Sequence, residues 1–192
     1  MQYIKGIEAY HNTNLSAITL GKFDGLHQGH ELLINKVIEH QKKDDVDGVV
    51  FAFDMSPMYA KLNKQPDFLL SNEEKAKRLD GRVNYFIDCP FDEHISSMEA
   101  EEFIHKVLVD TFHAKYIVIG TDFHFGYQKK GNWETLKQYE SEYGFTVEVM
   151  DKLCHDGREI SSTYIKEVLA EGNEELANRL LGYLYKKNFD KD

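Results

Sequence analysis

Residues 21–30, GKFDGLHQGH, set two histidines three apart beside an Asp-Gly pair, with a further glycine between the histidines. Side chains three apart on a helix share a face, so His27 and His30 could each donate a hydrogen bond to one anion. Gly21 lets the backbone approach a ligand, Gly25 suits a tight turn, and Gly29 leaves space between the rings. A helix starting near Gln28 would point its free N–H groups and positive dipole end the same way. The chemistry indicated is phosphate binding. Two other readings stay open: a metal pair, for which zinc wants a third or fourth ligand and Asp24 is a thin supplement, and ordinary helix-start residues with satisfied side chains. No GxGxxG fingerprint and no Walker GK[ST] run is present, so a nucleotide site here is of another kind.

Such a stretch needs elements that hold it. Apolar runs rich in β-branched and aromatic residues at 15–20, 48–54, 83–88, 115–120 and 145–150 predict strands. Between them Leu33, Ile34, Val37 and Ile38 form one face of a helix, and Phe103, Ile104, Val107 and Leu108 one face of another. Ser71 and Glu74 stand at capping-box spacing and start a further helix. The alternation predicts right-handed crossovers and a mostly parallel sheet covered on both faces, a doubly wound α/β domain. Ligands of such sheets bind beyond the carboxyl ends of the strands, which is where 21–30 follows the strand at 15–20.

The chain has 192 residues, 42% of them hydrophobic, which suits one domain over 1–185 followed by a charged tail at 186–192. Acidic residues outnumber basic ones 33 to 23, for a net charge of −10, which repels a nucleic-acid partner. The polar N-terminus and the lack of any long apolar stretch predict no membrane partner and a cytoplasmic location. Cys89 and Cys154 lie outside any CxxC spacing and are expected as reduced, buried or half-buried thiols.

The stretch GKFDGLHQGH resembles the HxGH nucleotidyltransferase signature as it occurs in the prokaryotic FAD synthetases, the FMN adenylyltransferase module that usually precedes a riboflavin kinase. The likeness continues through PFDEHISSMEAEEFIHKVLV (90–109), VIGTDFHFGYQKKG (118–131) and ISSTYIKEVLAEGNEELANRLLGYLY (160–185). It implies a Rossmann-like nucleotidyltransferase fold and adenylyl transfer from ATP to FMN, giving FAD and pyrophosphate with Mg²⁺. It further implies His27, His30 and Lys166 as catalytic residues. ATP would lie along Gly21, Lys22, Phe23, Asp24 and Gly29, mainly through backbone groups, and against Ser161, Ser162 and Thr163. Asp24 could equally be a turn-forming residue before Gly25. FMN would meet Asp122, Phe123, Phe125 and Gly126; if 122–127 extends a strand, Phe123, Phe125 and Tyr127 share one face and offer a flat apolar surface.

The chain departs from the family at Lys166, where arginine is common, at His124, where arginine is usual, and at Met55, where a proline-histidine-proline turn is frequent. No room for a kinase module is expected in 192 residues, and the oligomeric expectation is a monomer or weak homo-oligomer. Two competing functions are another phosphate-bearing acceptor, such as a phosphopantetheine or nicotinamide nucleotide, and a flavin-binding regulatory protein without turnover.

Overall fold

The structure, a computed structural model, describes residues 1–186. The tail expected from 186 onward lies, Lys186 apart, outside the described residues. Six parallel strands form one sheet: β1 (Gln2–Lys5), β2 (Ser16–Gly21), β3 (Asp47–Asp54), β4 (Tyr85–Pro90), β5 (Ala114–Gly120) and β6 (Thr146–Met150), in the order β1-β4-β3-β2-β5-β6. All five predicted strands are found, shifted by one or two residues at their ends. The edge strand β1 was not predicted, because Gln2–Lys5 has half-exposed side chains and only two apolar residues. A short antiparallel hairpin, β7 (Cys154–His155) with β8 (Arg158–Glu159), was also missed, being too short to show a period.

Helices cross between the strands: α1 (Gln28–Lys43), α2 (Ser56–Lys61), α3 (Asn72–Leu79), α4 (Glu93–Ser97), α5 (Ala100–Glu102), α6 (Trp133–Gln138), α7 (Glu140–Tyr143), α8 (Ser162–Ala170) and α9 (Glu174–Leu181). The α3 capping box is present: the Glu74 N–H donates to Ser71 Oγ at 3.2 Å and the Ser71 N–H donates to Glu74 Oε2 at 2.8 Å. The helix expected around Phe103 is instead a π-helix, Phe103–Thr111, continuing from α5. Its wider turn, closed by Phe112 N–H to Val107 C=O at 3.0 Å, turns the buried Phe112 toward the sheet while Phe103, Ile104, Val107 and Leu108 stay buried as expected.

Both sheet faces are covered, so a strand such as β3 reads as a continuous apolar run. Val49 and Phe51 face one core with Ile18, Leu20, Ile117 and Phe103; Val50 and Ala52 face the other with Phe23, Ile34, Leu79 and Phe86. Cys89 is buried, which pushes its thiol up to about 12, whereas Cys154 is exposed, contrary to the expectation of half-burial or more. It stands on the two-residue strand β7, outside both cores.

From β2 the chain moves outward to β3 and β4, then returns across the sheet to β5 on the other side of β2. The order therefore reverses between β2 and β5, whose pairing ends at Thr19 and Val118, short of Gly21 and Gly120; in open sheets of this kind the ligand crevice lies beyond such carboxyl ends.

Candidate active site

The loop leaving β2 is strained. Phe23, Gly25 and Leu26 have φ of 50°, 86° and 41°, a left-handed run that only glycine adopts freely. Burial holds it there: the Phe23 and Leu26 side chains are core residues. Any other residue at Gly25 would be strained by the φ of 86° and would also push the Leu69 side chain aside, a Cβ lying 2.7 Å from its Cδ1. Phe23 therefore meets any nucleotide through its backbone alone, its ring being fully buried.

That loop delivers His27 to the N-cap of α1. The usual N-cap side chain would accept a backbone N–H, but the imidazole makes no such bond; the His30 N–H donates instead to the His27 carbonyl at 2.8 Å, which leaves the Gln28 and Gly29 N–H groups as the ones a ligand could meet. The His27 and His30 rings stack at 3.7 Å between centroids, 20° from parallel. Phe23 backs His30 at 5.1 Å. In both rings Nδ1 is buried without a hydrogen-bond partner. Buried polar atoms left unpaired concentrate where a ligand completes them. Burial lowers His27 to about 4, against the upward pull of Asp24 and Asp122, and takes His30 well below its ordinary range, helped by the charges of His27 and Lys75. Both rings are neutral hydrogen-bond donors near pH 7. Gly29 serves the protein itself here: a Cβ there would press on the His27 ring at 3.2 Å, so the space it clears is taken by His27.

Asp24 and Gly25 are the central residues of a turn closed by the Leu26 N–H donating to the Phe23 carbonyl at 3.3 Å, and the Asp24 side chain reaches beyond it. Its Oδ1 accepts the Leu69 N–H at 2.7 Å and its Oδ2 pairs with Lys166 Nζ at 2.7 Å, so its carboxylate is committed within the chain. Lys166 also donates to the Asp67 carbonyl. Ser161 caps α8 by accepting the Tyr164 N–H at 3.2 Å, and Ser162 Oγ donates to the Asp24 carbonyl at 2.8 Å. Of the three hydroxyls expected near ATP, Thr163 alone is exposed. Lys22 is exposed and Gly21 closes β2 next to the Phe23 ring.

On the other side of the crevice Asp122 is exposed, pairs with Lys152 at 3.2 Å, and acts on the charge of His27. Residues 122–127 do not extend β5. The Phe123 and Phe125 rings still stack, at 5.7 Å and 16°, but Phe125 is buried in the core and Tyr127 belongs to a short 3₁₀ turn. Gly126 has φ 73° and lies against the Ala100 backbone, where a Cβ would approach to 2.7 Å, so its contact is internal. Of the expected flavin-side set, Asp122 is exposed and Phe123 is half-buried against the core. His124 is exposed and its Nδ1 bonds to the Asp122 carbonyl at 2.8 Å.

Two supports escaped the sequence reading. Tyr183 donates its hydroxyl to the Gly25 carbonyl at 2.6 Å while the Arg78 guanidinium stacks on its ring at 3.5 Å. Lys75, almost fully buried, donates to the Lys22 carbonyl at 3.2 Å. Its signal was a lysine four residues before Leu79 on the inner face of α3.

Residues 9–164 match the family described as FAD synthetase. The chain belongs to the FAD synthetase family. It is 34% identical over 188 residues to the bifunctional riboflavin kinase/FMN adenylyltransferase of Buchnera aphidicola subsp. Acyrthosiphon pisum, covering 96% of this chain and 60% of that protein. It is 33% identical over 192 residues to the protein of that name from Haemophilus influenzae, covering 97% of this chain and 61% of that one. The chain thus spans about 60% of the length of the curated relatives it matches. A crystal structure of a Streptococcus pneumoniae protein described as a macrolide-efflux protein superposes with a TM-score of 0.82 at 28% identity, over 95% of this chain and 62% of that one. The family match stops at 164, so Lys166, α9 and Tyr183 lie outside it while still gripping the loop.

Proposed function

We propose that the chain transfers the adenylyl group of ATP to FMN, releasing pyrophosphate and FAD. A phosphate oxygen of FMN forms a bond to the α-phosphorus as the bond from that phosphorus to the bridging oxygen of pyrophosphate breaks. No covalent enzyme intermediate is needed; two anions are held in line and the charge on the transferring group is stabilised. The observation that carries this reading is the stacked His27–His30 pair, with unpaired buried nitrogens at a helix N-terminus beside the sheet's point of reversal. Preorganised donors of this kind contribute on the order of 3 kcal/mol each to the barrier.

The remaining roles follow the geometry. Lys22, Ser161, Ser162, Thr163 and the Gly29 backbone N–H border the phosphates, with Lys166 swinging from Asp24 to the β and γ groups as a flexible point charge. Asp122 and Phe123 border the flavin. Among the described residues no group of three or more His, Cys, Asp or Glu is arranged to hold a metal, and Mg²⁺ enters as part of the ATP complex. Among them, too, no helix is long and apolar enough to cross a membrane; the proposed setting is the cytoplasm, with the chain as a monomer or weak homo-oligomer. Incubating the purified chain with FMN, ATP and Mg²⁺ and separating products by chromatography is the test. FAD and pyrophosphate are expected, with loss on chelation and no FMN from riboflavin. Flavin binding without FAD under any condition would favour the regulatory reading.

A further inference from the structure

Lys75 is a lysine where lysine is rarely found, on the inner face of α3 and 4% exposed. The hydrogen bonds of its ammonium go to neutral oxygens, the Lys22 carbonyl at 3.2 Å and Asn72 Oδ1 at 3.0 Å. Asn72 in turn donates to Asp88 Oδ1 at 2.9 Å, and Tyr3 donates to Asp88 Oδ2 at 2.8 Å. A line of hydrogen bonds thus runs from the edge strand β1 through β4 and α3 to the end of β2. The carbonyl it reaches immediately precedes the left-handed stretch at Phe23, whose ring backs His30.

We propose that Lys75 is a positioning residue of this site, a buried ammonium that pins the Lys22 carbonyl at the entry to the strained loop and through it the Phe23 ring that backs His30. The proposal rests on the adenylyl-transfer reading and adds a residue to it. Burial holds Lys75 below the ordinary lysine range, and Asp24 on the loop, Asp88 on β4 and Asp54 on β3 offset part of that by favouring the ammonium. His30 has the opposite surroundings. Burial disfavours its charged form first, and the neighbouring His27 and Lys75 add to that. Two imidazolium rings stacked at 3.7 Å would repel, whereas neutral rings hold the stack and keep an N–H each for phosphate.

The test is the titration of the histidine rings by NMR in the ligand-free chain, parent against Lys75→Met. His30 is expected to begin titrating at least about one pH unit higher in the variant, since one nearby charge shifts a buried group by that order. His113, at the opposite end of β5, should not move. A His30 ring that behaves alike in both proteins would overturn the proposal. Should Lys75→Met not fold, Lys75→Gln gives the same reading, and collapse of both would overturn it by making Lys75 a prop of the core. In the FMN and ATP assay Lys75→Met should raise the ATP KM about tenfold with a smaller change in kcat, and Lys75→Arg should recover part of that. Equal losses in a parent-like KM would count against positioning. A parent chain that makes no FAD sinks the adenylyl-transfer reading and leaves the ring titration to be judged alone.

Discussion

The two ends of α1 each carry buried histidine, and the two ends differ in what the rings touch. At the C-terminal end His40 stacks on Tyr116 at 3.8 Å, its Nδ1 meets Asp44 Oδ2 at 3.3 Å and its Nε2 meets Glu148, which Lys36 also pairs at 3.3 Å. Every polar atom of that ring has a partner inside the chain, and the cluster ties α1 to β6. At the N-terminal end His27 and His30 stack only on each other and on Phe23, and their Nδ1 atoms have none. Burial alone does not tell structural from functional histidine. What tells them apart is whether the chain itself completes the ring.

The widest gap between the two ends should show in acid. His27 titrates near 4 in the folded chain and near 6.5 when unfolded, because burial disfavours the imidazolium. Between those values the unfolded state binds more protons, so stability is full above about 6.5 and falls as the pH drops toward 4, by roughly 3 kcal/mol. Denaturant midpoints at pH 7.5 and pH 4, for the parent and His27→Asn, should show a smaller loss in the variant than in the parent, the remainder coming from His30, which burial also holds low; identical slopes with pH would dissolve the contrast. Replacing either His27 or His30 by Asn should also lower turnover about 100-fold at pH 7.5 while the melting temperature stays close to the parent's. A large drop in Tm with specific activity kept would make these histidines structural.

His40→Ala should do the reverse. Stranding Glu148 and Asp44 should cost about 2 kcal/mol of stability, read by denaturant unfolding, and leave kcat and KM for both substrates as they were. Smaller still is the effect at Lys166: its removal frees Asp24 from its partner and should raise the ATP KM or lower kcat about tenfold, while FMN is little affected. Lys166→Arg should keep most activity. Kinetics of Lys166→Ala indistinguishable from the parent's in both substrates would take that lysine out of the site and leave it as the clasp of Asp24.

The doubly wound sheet was legible because β2, β3 and β5 are buried on both faces, and such strands announce themselves as unbroken apolar runs. The histidine pair was legible for a similar reason, since a helix N-cap with imidazole in place of a hydroxyl is a local departure that spacing alone displays. Asp24 was harder. Its backbone forms the turn that the Asp-Gly pair announces, but its side-chain partners Leu69 and Lys166 lie on segments that no local pattern connects to residue 24. The alternation of Phe123, Phe125 and Tyr127 promised one exposed face and misled, because Gly126 must press against Ala100 and turns the chain away from strand geometry. Lys75 left only its misplaced charge on the inner face of α3 as a sign, and neither its target nor that of Tyr183 could be read: their work is done on carbonyls far along the chain, and a carbonyl leaves no mark in the amino-acid code.

The Tyr183 clamp has a temporal side. Its hydroxyl closes on the Gly25 carbonyl across 158 residues, the Gln28 side chain reaches the Arg179 carbonyl across 151, and Ser162 reaches the Asp24 carbonyl across 138. On a ribosome the loop is made early and its fasteners are among the last of the described residues to emerge. Contacts of such long sequence separation form late, after local helices and neighbouring strands have condensed. A nascent chain that already holds β2 to β5 therefore still carries an unfastened loop, and the histidines come into register only as α8 and α9 dock.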